Sequence, residues 1–175
     1  VIVLVALPIA WWFWRESRDQ DPSVLWAGLA GSLGLSYSKD PHTLKGAWKG
    51  REVSLVVENG RPVASARYGS GSRVRLEIGR REQLEREAGM VVPDRVEFVE
   101  DRAFSEAMLV RASSEDFGRL LVDPSLRRRL LNLNGAHLLA SGGRVDLSVA
   151  ELRREEQFRE VFDIAVSVAD AAEHA

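Results

Sequence analysis

The chain has 175 residues, 45% hydrophobic and 29% charged, a composition that suits one folded domain plus an appendage rather than a disordered chain. A net charge of -2 argues against a dedicated nucleic-acid binder, which carries a basic excess. There is no cysteine, which excludes disulfides, thiolate chemistry, cysteine zinc sites and cysteine-ligated iron–sulfur clusters.

The first segment, Val1 to Trp14, holds no charged residue and ends in the aromatic run Trp11, Trp12, Phe13, Trp14. As a helix it covers about 21 Å, short of the roughly 30 Å hydrocarbon core of a bilayer. A signal peptide would place small residues where the aromatics stand. A buried core helix would have to seat four aromatics beside Arg15, Glu16, Arg18 and Asp19. A transmembrane anchor, incomplete at its N-terminus, explains the run directly, because indole rings favour the headgroup zone and Pro8 is tolerated in membrane helices. The expectation is therefore an anchor over 1–14 and a juxtamembrane linker over 15–21. Trp11, Trp12, Phe13, Trp14, Arg15 and Arg18 would lie at the interface, and the two arginines would hold the following domain, 22–175, in the cytoplasm.

Asp21-Pro22 can open a helix that carries Leu25, Leu29 and Leu33 on one stripe and stops at Gly34. Strands suit 42–48, 52–58, 62–68 and 74–78, with Gly50 and the hairpin signal Asn59-Gly60 between them. Residues 81–90 read as a helical turn or a loop, and 96–99 and 107–111 as further strands. Ser113 or Ser114 caps a helix through Leu121, and Asp123-Pro124 opens another through Leu133. A second hairpin turns at Gly142-Gly143. A long amphipathic helix from about Glu151 closes the chain, its stripe made of Phe158, Val161, Phe162, Ala165, Val168, Ala169 and Ala172. The order predicts an α+β fold, a mainly antiparallel sheet with helices packed on one side, preceded by the transmembrane helix.

Three stretches, LWAGLAGSLGLSYS, LKGAWKGREVSL and LLVDPSLRRRLLNL followed by GGRVDLSV, resemble a pattern of uncharacterised bacterial membrane-anchored α+β proteins. The resemblance implies a fold and no activity.

Chemistry is sparse. His42, His137 and His174 have no partner at metal-ligand spacing, and no Gly-x-Ser-x-Gly occurs. Gly69-Ser70-Gly71-Ser72-Arg73 precedes a strand, where a phosphate loop needs a helix. Glu97, Glu100 and Asp101, flanked by Arg95 and Arg102, read as an exposed charged edge. Arg127, Arg128 and Arg129 form the most suggestive cluster, either a solvated helix face or a contact for anionic headgroups or an acidic partner. No catalytic residue, cofactor or metal site is expected. The expected role is a non-catalytic accessory subunit of a larger membrane complex of the cell's inner membrane, with photosynthetic and respiratory assemblies among the hosts. Its partners would be integral membrane subunits and the bilayer, with no nucleic acid and no small-molecule substrate. The alternative is a membrane-tethered ligand-binding or sensor domain, which needs a concave, mostly apolar pocket with a few polar groups.

Overall fold

The computed structural model describes residues 22–69, 73–86 and 94–174. In chain order it runs α1 (Pro22–Leu33), β1 (Ser36–Lys39), β2 (His42–Trp48), β3 (Arg51–Glu58), β4 (Arg61–Arg67), β5 (Leu76–Arg80), α2 (Arg81–Arg86), β6 (Asp94–Val96), α3 (Arg102–Ala107), β7 (Met108–Ala112), α4 (Glu115–Leu121), α5 (Pro124–Asn132), β8 (His137–Ser141), β9 (Arg144–Ser148) and α6 (Glu155–Glu173). The nine strands make one antiparallel sheet in the order β1-β2-β3-β4-β9-β8-β5-β7-β6.

Alternation builds this sheet. Leu44, Leu55, Ala64, Leu147, Leu138, Ile78 and Val110 face one another in register across seven strands, all of them buried. Side chains alternate along a strand, so this row defines one apolar face and the residues between fall on the other. Three two-residue turns fix the register. Lys49-Gly50, Asn59-Gly60 and Gly142-Gly143 all have positive φ at both positions, the geometry that matches the twist of paired strands.

Helix α6 covers the centre of the apolar face. Its stripe is buried as the periodicity predicts, with Phe158, Val161, Phe162, Ala165 and Ala169 all at zero exposure. Trp26 of α1 meets Phe158 edge-on at 6.2 Å, and Trp48 of β2 lies against Phe162 at 5.8 Å. Polar staples hold the helix in place: Trp48 Nε1 donates to Asp163 at 2.7 Å, Ser32 Oγ donates to Glu155 at 3.1 Å, and Arg51 reaches both Asp170 and Glu173. Helix α4 packs on the same face, and a Cβ at Gly118 would lie 2.6 Å from Val96 Cγ2.

Two expectations are corrected. The helices do not all lie on one side: Gly79 points opposite to Ile78, and the Leu84 side chain of α2 sits against it, so α2 covers the second face. The transmembrane helix is not supported either, since among the described residues no helix is long and apolar enough to cross a membrane. Helix α1 is apolar but has only 12 residues, about 18 Å, and α6, with 19, is amphipathic. The single-pass topology and the inner-membrane placement with a cytoplasmic domain therefore have no support here. The run 1–14, the segment 15–21 and their residues Trp11, Trp12, Phe13, Trp14, Arg15 and Arg18 lie outside the described residues, as do Ser70, Gly71 and Ser72 of the glycine-rich stretch.

The staples on α6 make a prediction. Glu155 and Glu173 titrate below the ordinary glutamate range, chiefly because Arg159 and Arg51 donate to them. Asp163 is also lowered; burial opposes this, and the Lys49 and Trp48 hydrogen bonds outweigh it. As pH falls, the unfolded chain takes up these protons first. The stabilisation is thus complete above about pH 4.3 and declines below it as the folded groups are protonated in turn. Thermal melts at pH 7 and pH 3 should show a lower midpoint at pH 3, and Glu173→Gln should reduce that difference. An equal difference in the variant means that this pair does not contribute.

Candidate functional site

An apolar concavity lies where β6 leaves the sheet. Phe98 follows that strand and is 3% exposed, whereas its neighbour Val99 is 83% exposed. A short network fixes the turn between them and α3. Asp101 caps α3 by accepting from the Phe104 N–H at 3.1 Å, and Ser105 Oγ donates to the Phe98 carbonyl at 2.8 Å. Phe104 stands edge-on to Phe98 at 5.6 Å. From α2, Arg81 Nε donates to the Ser105 carbonyl at 3.0 Å, tying the two helices together. Val99 is left on the outer side of a turn whose inner side is filled by Phe98. The result is an open recess of about 510 Å³ lined by Arg81, Phe98, Val99, Arg102, Ser105 and Glu106. Arg102 and Glu106 pair across one helical turn at 2.7 Å, with both side chains mostly exposed, so the rim is polar and able to rearrange.

The arginine cluster behaves as three separate residues. Arg127 is buried, its guanidinium 4.7 Å from the Phe98 ring centroid and donating to Glu100 at 2.5 Å. Its Nε is 3.3 Å from Asp101 Oδ2 but not aligned for a hydrogen bond, and it is left as a buried donor without a partner. Arg129 Nε donates to Glu160 of α6 at 2.6 Å. Arg128 alone is exposed. Glu100 is held below the ordinary glutamate range by the Arg127 hydrogen bond. The acidic edge thus also holds α5 through Arg127, while Glu97 lies 3.7 Å from Arg95.

The second sheet face holds a group that spacing alone did not reveal. Glu77, 3% exposed, lies 3.1 Å from His137 Nε2 and 3.6 Å from the Arg111 guanidinium. Glu77 and Arg111 are cross-strand partners, and His137 starts β8 on the far side of β5, so only the strand order brings them together. A carboxylate orienting an imidazole is half of a hydrolytic arrangement. The serine opposite His137 is Ser148, and its hydroxyl points to the His137 carbonyl at 3.5 Å rather than to the ring. His42 is bound to the Tyr37 hydroxyl at 2.7 Å, and His174 ends α6. Among the described residues no group of three or more His, Cys, Asp or Glu could hold a metal ion.

No family model matches the chain, and no curated protein matches it. The fold is similar to the crystal structure of the mycobacterial trehalose monomycolate transport factor A, TtfA, with a TM-score of 0.60. The two share 12% sequence identity over 83% of this chain and 91% of that one, so the likeness is one of fold. The bacterial resemblance expected from the sequence therefore runs to a transport factor rather than to uncharacterised proteins.

Proposed function

We propose that this domain is a non-catalytic binding module that takes an amphiphilic ligand, an apolar chain with a polar head, at the recess beside Phe98 and Val99. The recess carries the reading. It is wide open, but its volume of about 510 Å³ and its mostly apolar surface with a few polar rim groups match the apolar chain and polar head of an amphiphile. The floor would take the chain, while Arg102 and Glu106 can turn toward the head. A shared fold does not by itself imply a shared function. It supplies a compatible setting, because TtfA is a transport factor for trehalose monomycolate. The reading departs from the expected absence of a small-molecule partner and follows the ligand-binding alternative.

A fluorescent fatty acid is expected to bind the chain saturably. Val99→Glu should weaken it about tenfold, roughly 1.4 kcal/mol, by placing a charge on the exposed apolar edge of the recess. Val99 is exposed, so the variant should keep its circular dichroism spectrum and melting point. Unchanged affinity in a folded Val99→Glu rejects the recess as the site.

A bracing role in a larger assembly draws on a different observation. Leu120 is 80% exposed on a second recess of about 360 Å³ between the α4–α5 turn and α6, with Leu126, Arg129 and Val168 also in its lining. A partner subunit seated there would meet Arg129, with Arg128 as the exposed cation next to it in α5. In that reading Arg127 is a structural residue.

A further inference from the structure

The second sheet face is open over β2, β3, β4 and β9, and its polar side chains are arranged in register. Lys45, Ser54, Ser65 and Asp146 stand opposite one another on those four strands. Along the adjoining pairs, Arg67 faces Arg144. Between these rows is a small polar hollow of about 90 Å³, lined by Lys45, Glu52, Val53, Ser54, Ser65, Arg67 and Arg144. Three cations and one carboxylate thus border a space the size of a single tetrahedral oxyanion.

The hydrogen bonds decide which groups are available. Asp146 accepts from Ser65 Oγ at 2.5 Å and pairs with Arg144 at 2.7 Å, so it is satisfied from two sides and is not part of the lining. Glu52 is 3.9 Å from Arg67, at the outer limit of an ion pair, with both side chains at least 70% exposed; such a pair contributes little and opens readily. Among the described residues Lys45 has no ion pair and the Ser54 hydroxyl no hydrogen bond. Arg144 gives Nε and Nη2 to Asp146, so the Arg67 fork and the Lys45 ammonium beside the Ser54 hydroxyl are the donors left for phosphate oxygens, with Arg144 adding positive charge at the border. The apolar area that a lipid tail or a sugar ring would stack on is missing from the hollow itself.

We propose that Lys45, Arg67 and Arg144, with the Ser54 hydroxyl, form a cradle on the open sheet face that binds a phosphate group. The group comes from a soluble phosphate ester or from the headgroup of an anionic phospholipid. This site is independent of the recess at Phe98, and its test uses ligands without an apolar chain or with the chain already in a bilayer.

The experiment has two arms. In the first, the 15N-labelled chain is titrated with inorganic phosphate and with sn-glycerol 3-phosphate at constant ionic strength, with chloride as the control. Saturable shifts at the Ser54, Ser65 and Arg67 amides are expected, and Lys45→Gln/Arg67→Gln should weaken the affinity at least fivefold. In the second, the chain is floated with phosphatidylcholine vesicles containing phosphatidic acid. Co-flotation that the double variant loses, without saturable shifts in the first arm, assigns the cradle to a lipid headgroup. Both substitutions are at exposed positions, so the melting point should be unchanged. Absence of phosphate-specific effects in both arms, or equal effects in the double variant, overturns the proposal.

Discussion

Phe162→Ala is expected to lose about 3–5 kcal/mol of stability, the largest single effect in the domain. Phe162 has zero exposure, packs on Trp48 and stands at the middle of α6. The cost has two parts, the lost burial of a benzyl group and the cavity left behind. The cavity part should be large because α6 cannot settle inward. Arg51 holds its C-terminal end through Asp170 and Glu173, and Arg159 donates to the Ser32 carbonyl near its start. Urea unfolding followed by circular dichroism measures the loss, with the exposed Glu156→Gln as a control expected within about 0.5 kcal/mol. A loss below about 1.5 kcal/mol would mean that α6 is not seated on the sheet as described.

The arginine cluster supplies the second large effect, and it separates neighbours in sequence. Arg127→Gln should cost about 2–3 kcal/mol, because it removes a charge-assisted hydrogen bond and the guanidinium that covers the Phe98 ring. Arg128→Gln should stay within about 0.5 kcal/mol, as expected for an exposed side chain. Arg129→Gln should fall between them, since its bond to Glu160 is only half-buried. The same unfolding assay ranks the three. Equal costs at 127 and 128 would contradict the buried placement of Arg127. The ranking also bears on partner contacts. A triple variant would confound lost docking with a weakened fold, so only Arg128 and Arg129 test docking cleanly.

Much of the fold was legible because its signals are local. Asn59-Gly60 and Gly142-Gly143 turn where their tolerance of positive φ predicts, and the spacing of Phe158, Val161, Phe162 and Ala165 marked the core face of α6. Ser114 and Asp123 cap α4 and α5 as read. Several features escaped, among them the strand expected over 96–99, which is β6 at Asp94–Val96. Strand β1, Ser36–Lys39, is a polar edge strand with no alternating apolar pattern. Helix α3 has only six residues and was hidden in the charged run around Asp101. The position of α2 on the second face depends on Leu84 meeting Gly79, a contact that no periodicity encodes.

The candidate site was less legible for the same reason. Glu97 and Glu100 are exposed as an edge should be, but Glu100 and the half-buried Asp101 also meet the buried Arg127, on a helix more than twenty residues later, whose guanidinium lies over Phe98. The recess exists because α2, β6 and α3 converge there. Likewise Glu77 and His137 are sixty residues apart and meet only through the β8–β5 pairing. The anchor expected over 1–14 lies outside the described residues, and among the described residues no helix is long and apolar enough to cross a membrane.

Mapping where an amphiphile binds tests the recess at Phe98 directly. The 15N-labelled chain is titrated with decanoate below its micelle concentration, and amide shifts are followed residue by residue. Saturable shifts are expected at Phe98, Val99, Arg102, Ser105 and Glu106, with Lys45 and Ser54 unaffected and the response greatly reduced in Val99→Glu. Shifts centred on Leu120 and Val168, or scattered without saturation over the whole surface, would contradict that site.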